Sequence, residues 1–143
     1  MAATRVLIVD DEKAFATVLA ERMRARGFSV DTAESGEAAL KKVGKISYDA
    51  IVLDLIMPKL DGIATLKRLL DINPDLQIIL LTGQATLEKG IEALKQGAME
   101  FLEKPADIDT LVEKVRQAEA KKRLLFEHRM EDLISRITQE KGW

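Results

Sequence analysis

A chain of 143 residues with 47% apolar and 32% charged residues is long enough to bury one core unaided and too apolar to stay unfolded. Its 22 basic and 24 acidic residues give a net charge of −2, which excludes an overall field drawing it to nucleic acid or an anionic membrane. The absence of cysteine excludes disulfides, thiolate metal sites and cysteine nucleophiles. With no membrane-length apolar run and no signal-peptide core, the chain is expected to be soluble and cytoplasmic.

Arg5 to Val9 carries Val-Leu-Ile-Val, the β-branched pattern of a strand covered on both faces, and stops at Asp10-Asp11-Glu12. Ala14 to Arg26 follows with Phe15, Val18, Leu19 and Met23 at helical spacing, and closes at Gly27. Phe28 to Thr32 alternates like an edge strand, and Ser35-Gly36-Glu37 opens a second helix that breaks near Gly44. Ala50 to Leu53 is a third apolar run, ending on Asp54 and turning through Met57-Pro58 to a helix with Ile63, Leu66, Leu69 and Leu70 on one face. Gln77 to Leu81 predicts a fourth strand, stopping at Thr82-Gly83-Gln84. A helix over about Thr86 to Gln96 carries Leu87, Ile91 and Leu94. Ala98 to Leu102 predicts a fifth strand, ending at Glu103-Lys104-Pro105, and Asp107 can cap a last helix from about Ile108. Five β-α repeats predict an α/β fold, a doubly wound parallel sheet with helices on both faces.

In such sheets ligands bind beyond the carboxyl ends of the strands. Four of the five strands end there in a residue with a chemical use: Asp10-Asp11, Asp54, Thr82 and Lys104. Each alone has an ordinary reading as a strand stop, turn residue or solvated lysine. Together they describe one rim. Three carboxylates converging without a cation repel, and Mg²⁺ relieves this because it accepts a few carboxylates and a phosphoryl oxygen. Lys104 adds a point charge and Thr82 a hydroxyl, a set suited to moving a phosphoryl group onto the Asp54 carboxylate.

Over Arg5 to about Ala120 the sequence resembles the receiver domain of two-component response regulators. The resemblance is carried by Val9-Asp10-Asp11, by Leu53 to Pro58 with Asp61-Gly62, by Thr82-Gly83, and by Phe101 to Pro105. It implies a flavodoxin-like (βα)5 sheet of strand order 2-1-3-4-5. It also implies that Asp54 is the phosphoacceptor, served by a sensor histidine kinase or phosphotransfer protein. Asp11, Asp54 and the backbone carbonyl of Ile56 would bind Mg²⁺ directly, Asp10 would act through water, and Lys104 would bind the phosphate. Thr82 and Phe101 would form a switch altering the face of the fourth helix, fifth strand and fifth helix. Ile56 and Gln84 occupy the positions that tune dephosphorylation; Ile56 has no polar group to orient water, so slow autodephosphorylation is expected. The chain is not expected to be an enzyme beyond assisting its own phosphoryl transfer. A haloacid-dehalogenase-like phosphatase would want an Asp where Ile56 stands, and a flavin module would want a Gly, Ser and Thr-rich loop where Asp10-Asp11-Glu12 stands.

Residues 1–120 are thus read as the receiver and 121–143 as an extension or linker. From Asp107 to Lys141 there is no Gly or Pro, and Ile108, Leu111, Val112, Val115 and Ala118 form a packing stripe. After Lys121-Lys122-Arg123, Phe126, Met130, Leu133 and Ile137 recur at the 4-3-4 step of a coiled-coil seam. An extended helix that dimerises or meets a partner, a tail folded on its own domain, and the linker of a longer transcription regulator all fit this pattern. His128 reads as a solvated helix residue. The basic cluster is balanced by Glu127, Glu131 and Asp132, so no direct nucleic-acid contact is expected.

Overall fold

The computed structural model describes residues 3–55, 62–83 and 87–140. Ten elements alternate along the chain: β1 (Arg5–Val9), α1 (Lys13–Ala25), β2 (Ser29–Ala33), α2 (Gly36–Val43), β3 (Ala50–Leu53), α3 (Gly62–Ile72), β4 (Ile78–Thr82), α4 (Leu87–Lys95), β5 (Glu100–Glu103) and α5 (Ile108–Glu140). The strands form one parallel sheet in the order β2-β1-β3-β4-β5. Continuous apolar runs place β1, β3 and β4 in the middle, buried on both faces; the alternating β2 is an edge, as its pattern predicts.

Successive side chains of a strand point to opposite faces, so each central strand feeds two cores. Leu7, Val9, Ile51, Leu53, Ile78 and Leu80 pack under α2, α3 and α4. Val6, Ile8, Val52, Ile79 and Leu81 pack under α1 and α5. Helix boundaries follow local chemistry. The Ser35 hydroxyl accepts the Ala38 N–H at the start of α2, and Gly27 after α1 takes the positive φ of 94° that L side chains avoid. Gly62 opens α3 where a Cβ would stand 2.3 Å from the Leu55 backbone, so only glycine lets the helix return this close to the end of β3.

α4 forms where the sequence places a helix, but its apolar series does not mark the buried face. Leu87, Ile91 and Leu94, which carry its apolar periodicity, are 46%, 49% and 39% exposed, and the helix buries Gly90 and Ala93 instead. The space beneath it is already occupied by Phe101 of β5, partly buried against the same core.

α5 runs unbroken for 33 residues, about 50 Å at 1.5 Å per residue. Its first half buries Leu111, Val115 and Ala118. Beyond that it passes the foot of the sheet, where Lys122 pairs with Asp49 at 3.2 Å and donates to the Ser47 hydroxyl, and Arg129 pairs with Asp75 at 2.6 Å. Phe126, Met130, Leu133 and Ile137 of the 4-3-4 series are all exposed, and so is His128.

Candidate functional site at the carboxyl edge of the sheet

The ends of β1, β2 and β3 lie level, and β4 and β5 reach two residues further. Val9 is in register with Ala33 on one side and Leu53 on the other, Leu53 with Leu80, and Thr82 with Glu103. The ladder then continues one residue past the strands: Asp10 donates its N–H to Ala33 at 3.0 Å, Asp54 to Val9 at 3.0 Å, and Lys104 to Thr82 at 2.7 Å. Three functional side chains are therefore placed by backbone hydrogen bonds, with the precision of the sheet.

Asp10 and Asp54 are buried, at 3% and 6% exposure, and the Lys104 ammonium lies between them. Its Nζ stands 2.7 Å from Asp10 Oδ2, 3.4 Å from Asp54 Oδ2 and 3.6 Å from Glu12 Oε1. The Phe15 ring of α1 sits 4.3 Å from the same nitrogen, adding the attraction of its π face. Asp10 has both oxygens engaged, because its Oδ1 accepts the Glu12 N–H at 2.9 Å.

Burial pushes the Asp10 carboxyl above its ordinary value, and the bonds from Lys104 and the Glu12 N–H recover only part of that cost. Burial also works against the Lys104 ammonium. The hydrogen bond and charge of Asp10 outweigh it, with help from Asp54 and Glu12, and hold the lysine above 10.5. The cation is the better-served partner.

Asp10, Glu12 and Asp54 each place a carboxylate oxygen within 4.8 Å of the others, a donor set of hard oxygens that fits a divalent ion such as Mg²⁺. Asp11 is exposed and stands outside that group, next to it on the β1–α1 connection. Glu12 was not singled out by sequence; after two aspartates it reads as a third turn acid. Phe15 was read as an apolar helix position only.

Thr82 is fully buried at the end of β4. It shares a sheet face with Leu80, which is paired to Phe101, so Thr82 and Phe101 are diagonal neighbours on the α4 side of the sheet. Ile56 and Gln84, expected to tune dephosphorylation, lie outside the described residues, as does the Ile56 carbonyl.

Comparison with known proteins agrees with this geometry. The family model for the response regulator receiver domain matches residues 6–116. The transcriptional regulatory protein ZraR of Escherichia coli K12 is 36% identical over 133 residues, 93% of this chain and 29% of ZraR. The chain spans less than a third of the length of this and similar regulators, including DctD of Rhizobium meliloti. A receiver domain from Clostridium thermocellum superposes with a TM-score of 0.82 at 32% identity, covering 85% of this chain and 98% of that one. A response regulator from Burkholderia pseudomallei, solved with a phosphorylated aspartic acid, calcium ion and citrate, gives 0.74 at 28% identity, covering 97% and 86%.

The Lys104 position yields a pH prediction. Lys104→Met leaves Asp10 buried without its cation and is expected to cost about 3 kcal/mol at neutral pH without divalent ions. A lysine raised on folding contributes stability that is fully present below 10.5 and lost as pH rises through its folded value. Urea midpoints of the two proteins should therefore differ most near neutrality and converge above pH 10.5. A constant gap across that range would contradict the pairing.

Proposed function

The chain belongs to the response regulator receiver domain family, and on that premise we propose that Asp54 is the residue whose phosphorylation throws its switch. The observation that carries this reading is the buried Asp10–Lys104–Asp54 cluster at the carboxyl edge of the sheet. As a receiver it takes its phosphoryl group from a donor such as a histidine kinase. The donor's phosphorus–nitrogen bond breaks as an Asp54 oxygen forms a bond to phosphorus, and the imidazole leaves with the electron pair. Lys104 holds the phosphoryl oxygens by charge, and the Thr82 hydroxyl donates to one of them.

Asp10, whose two oxygens already accept from Lys104 and the Glu12 N–H, acts on a metal ion through water. Asp11 and Asp54, with the Ile56 carbonyl, would supply the direct ligands that the family resemblance implies. When bound, Mg²⁺ offsets the charge of the carboxylates and the incoming phosphoryl group. With Thr82 drawn toward the phosphate, Phe101 turns into the space it leaves, and the face of α4, β5 and α5 changes its fit to a partner or a second copy. The phosphoryl group is stored, not turned over, and slow hydrolysis follows from the apolar Ile56. A cytoplasmic setting agrees with this role, and no described helix is long and apolar enough to cross a membrane.

The extension from residue 121 supports a second contact. Exposure of Met130, Leu133 and Ile137 at coiled-coil spacing fits a parallel helix from a second copy. A chain spanning under a third of ZraR also fits a receiver segment of a longer transcription regulator, with nucleic acid reached only through other segments.

Treatment with a small phosphodonor and Mg²⁺ should label the native chain and leave Asp54→Asn unlabelled, read by intact mass. Equal labelling of the two would sink the assignment. In Mg²⁺ titration by calorimetry, Asp11→Asn should weaken affinity by roughly tenfold or more, whereas Glu12→Gln, whose side chain is exposed and shared with Lys104, should change it by less than about threefold. The reverse order would make Glu12 the ligand. Light scattering should find the full chain self-associating as concentration rises and a chain ending at Ala120 monomeric when unphosphorylated. Identical masses would remove the extension from the interface.

A further inference from the structure

We propose that Gly90 is a positioning residue of the switch: it is the seat in which the Phe101 ring rests before phosphorylation, and it ties α4 to that ring. The inference rests on the phosphorylation reading above for its coupling and on geometry alone for the seat. A Cβ built on Gly90 would stand 2.2 Å from Phe101 Cε2 and 2.4 Å from Cδ2, well inside any tolerated contact. No other residue type fits at that helical position while the ring stays where it is.

The clash falls first on the ring. The three nearest neighbours of that Cβ are all Phe101 ring atoms, so a substitution displaces the ring from its seat. α4 has little else to hold it. It buries only Gly90 and Ala93 and turns Leu87, Ile91 and Leu94 to solvent, whereas α3 buries Thr65, Leu66 and Leu69. A helix anchored mainly by a ring in a glycine seat moves when the ring moves.

The sign of the coupling follows from linkage. If phosphorylation draws the ring from Gly90 toward the space beside Thr82, the seat stabilises the unphosphorylated state and opposes phosphorylation. Removing the seat removes that opposition. A chain whose ring has already left the seat is the one ready to accept the phosphoryl group, so Gly90→Ala, by raising that share, should label with a small phosphodonor and Mg²⁺ faster than native by about fivefold. The increase should vanish when Phe101→Ala is added.

A stability cycle tests the seat without phosphorylation. In the native background Gly90→Ala should lower the urea midpoint, because the ring is expelled. With Phe101→Ala it should raise the midpoint, because alanine is the better helix former and nothing is displaced. A shift of the same sign in both backgrounds overturns the seat. Native-rate labelling of Gly90→Ala, or acceleration that persists without Phe101, overturns the coupling. Failure of the phosphorylation reading shows separately, as equal labelling of native and Asp54→Asn; the coupling then falls with it and the cycle still decides the seat.

Discussion

Two carboxylates from different strands, Asp10 and Asp54, are buried side by side, and one ammonium makes that possible. Lys104 is closer to Asp10, at 2.7 Å, than to Asp54, at 3.4 Å. The asymmetry has chemical consequences. Asp10 is committed through both oxygens, so it serves as a fixed negative charge that keeps the lysine protonated. Asp54 is held by the same cation at longer range.

The fold exists to set that spacing. Strand order reverses between β1 and β3, which opens a crevice at the carboxyl edge where the connections diverge. Asp10 and Asp54 are the first residues past those two strands, and each continues the backbone ladder. β1 and β3 are buried on both faces between two cores, so neither can slide without exposing a run of Val, Ile and Leu. The cost of bringing two acids together is met by the hydrophobic burial of the strands that carry them.

Most of this was legible in the chain. Unbroken β-branched runs identify the central strands, and Asp10, Asp54, Thr82 and Lys104 stand out because each halts such a run at the same end. What was not legible depends on tertiary proximity. Glu12 joins the acidic group because the Asp10 carboxylate accepts its N–H and because Lys104 arrives from the end of β5. Phe15 matters through the same lysine. In α4 the periodicity of Leu87, Ile91 and Leu94 marks a helix but does not reveal its inner face, since no one-dimensional pattern shows that Phe101 already fills the space below. The bracket of Lys122 with Asp49 and Arg129 with Asp75 joins residues whose separation only the folded α5 brings together.

The two faces of the sheet also separate α4 from α5. Phe101 and α4 belong to the core beneath α2 and α3, whereas α5 packs on the opposite core through Leu111, Val115 and Ala118. A turn of the Phe101 ring therefore acts on α4 by contact and reaches α5 less directly. One described link is the ion pair of Lys114 with Glu100 at 2.9 Å, where Glu100 also accepts the Phe101 N–H. Half-exposed ion pairs of this kind contribute less than about 1 kcal/mol, too little to drag a helix packed on three buried side chains. α4, weakly held and in contact with Phe101, is the element suited to move. α5, packed through Leu111, Val115 and Ala118 and bracketed at the foot of the sheet, is suited to stay in place.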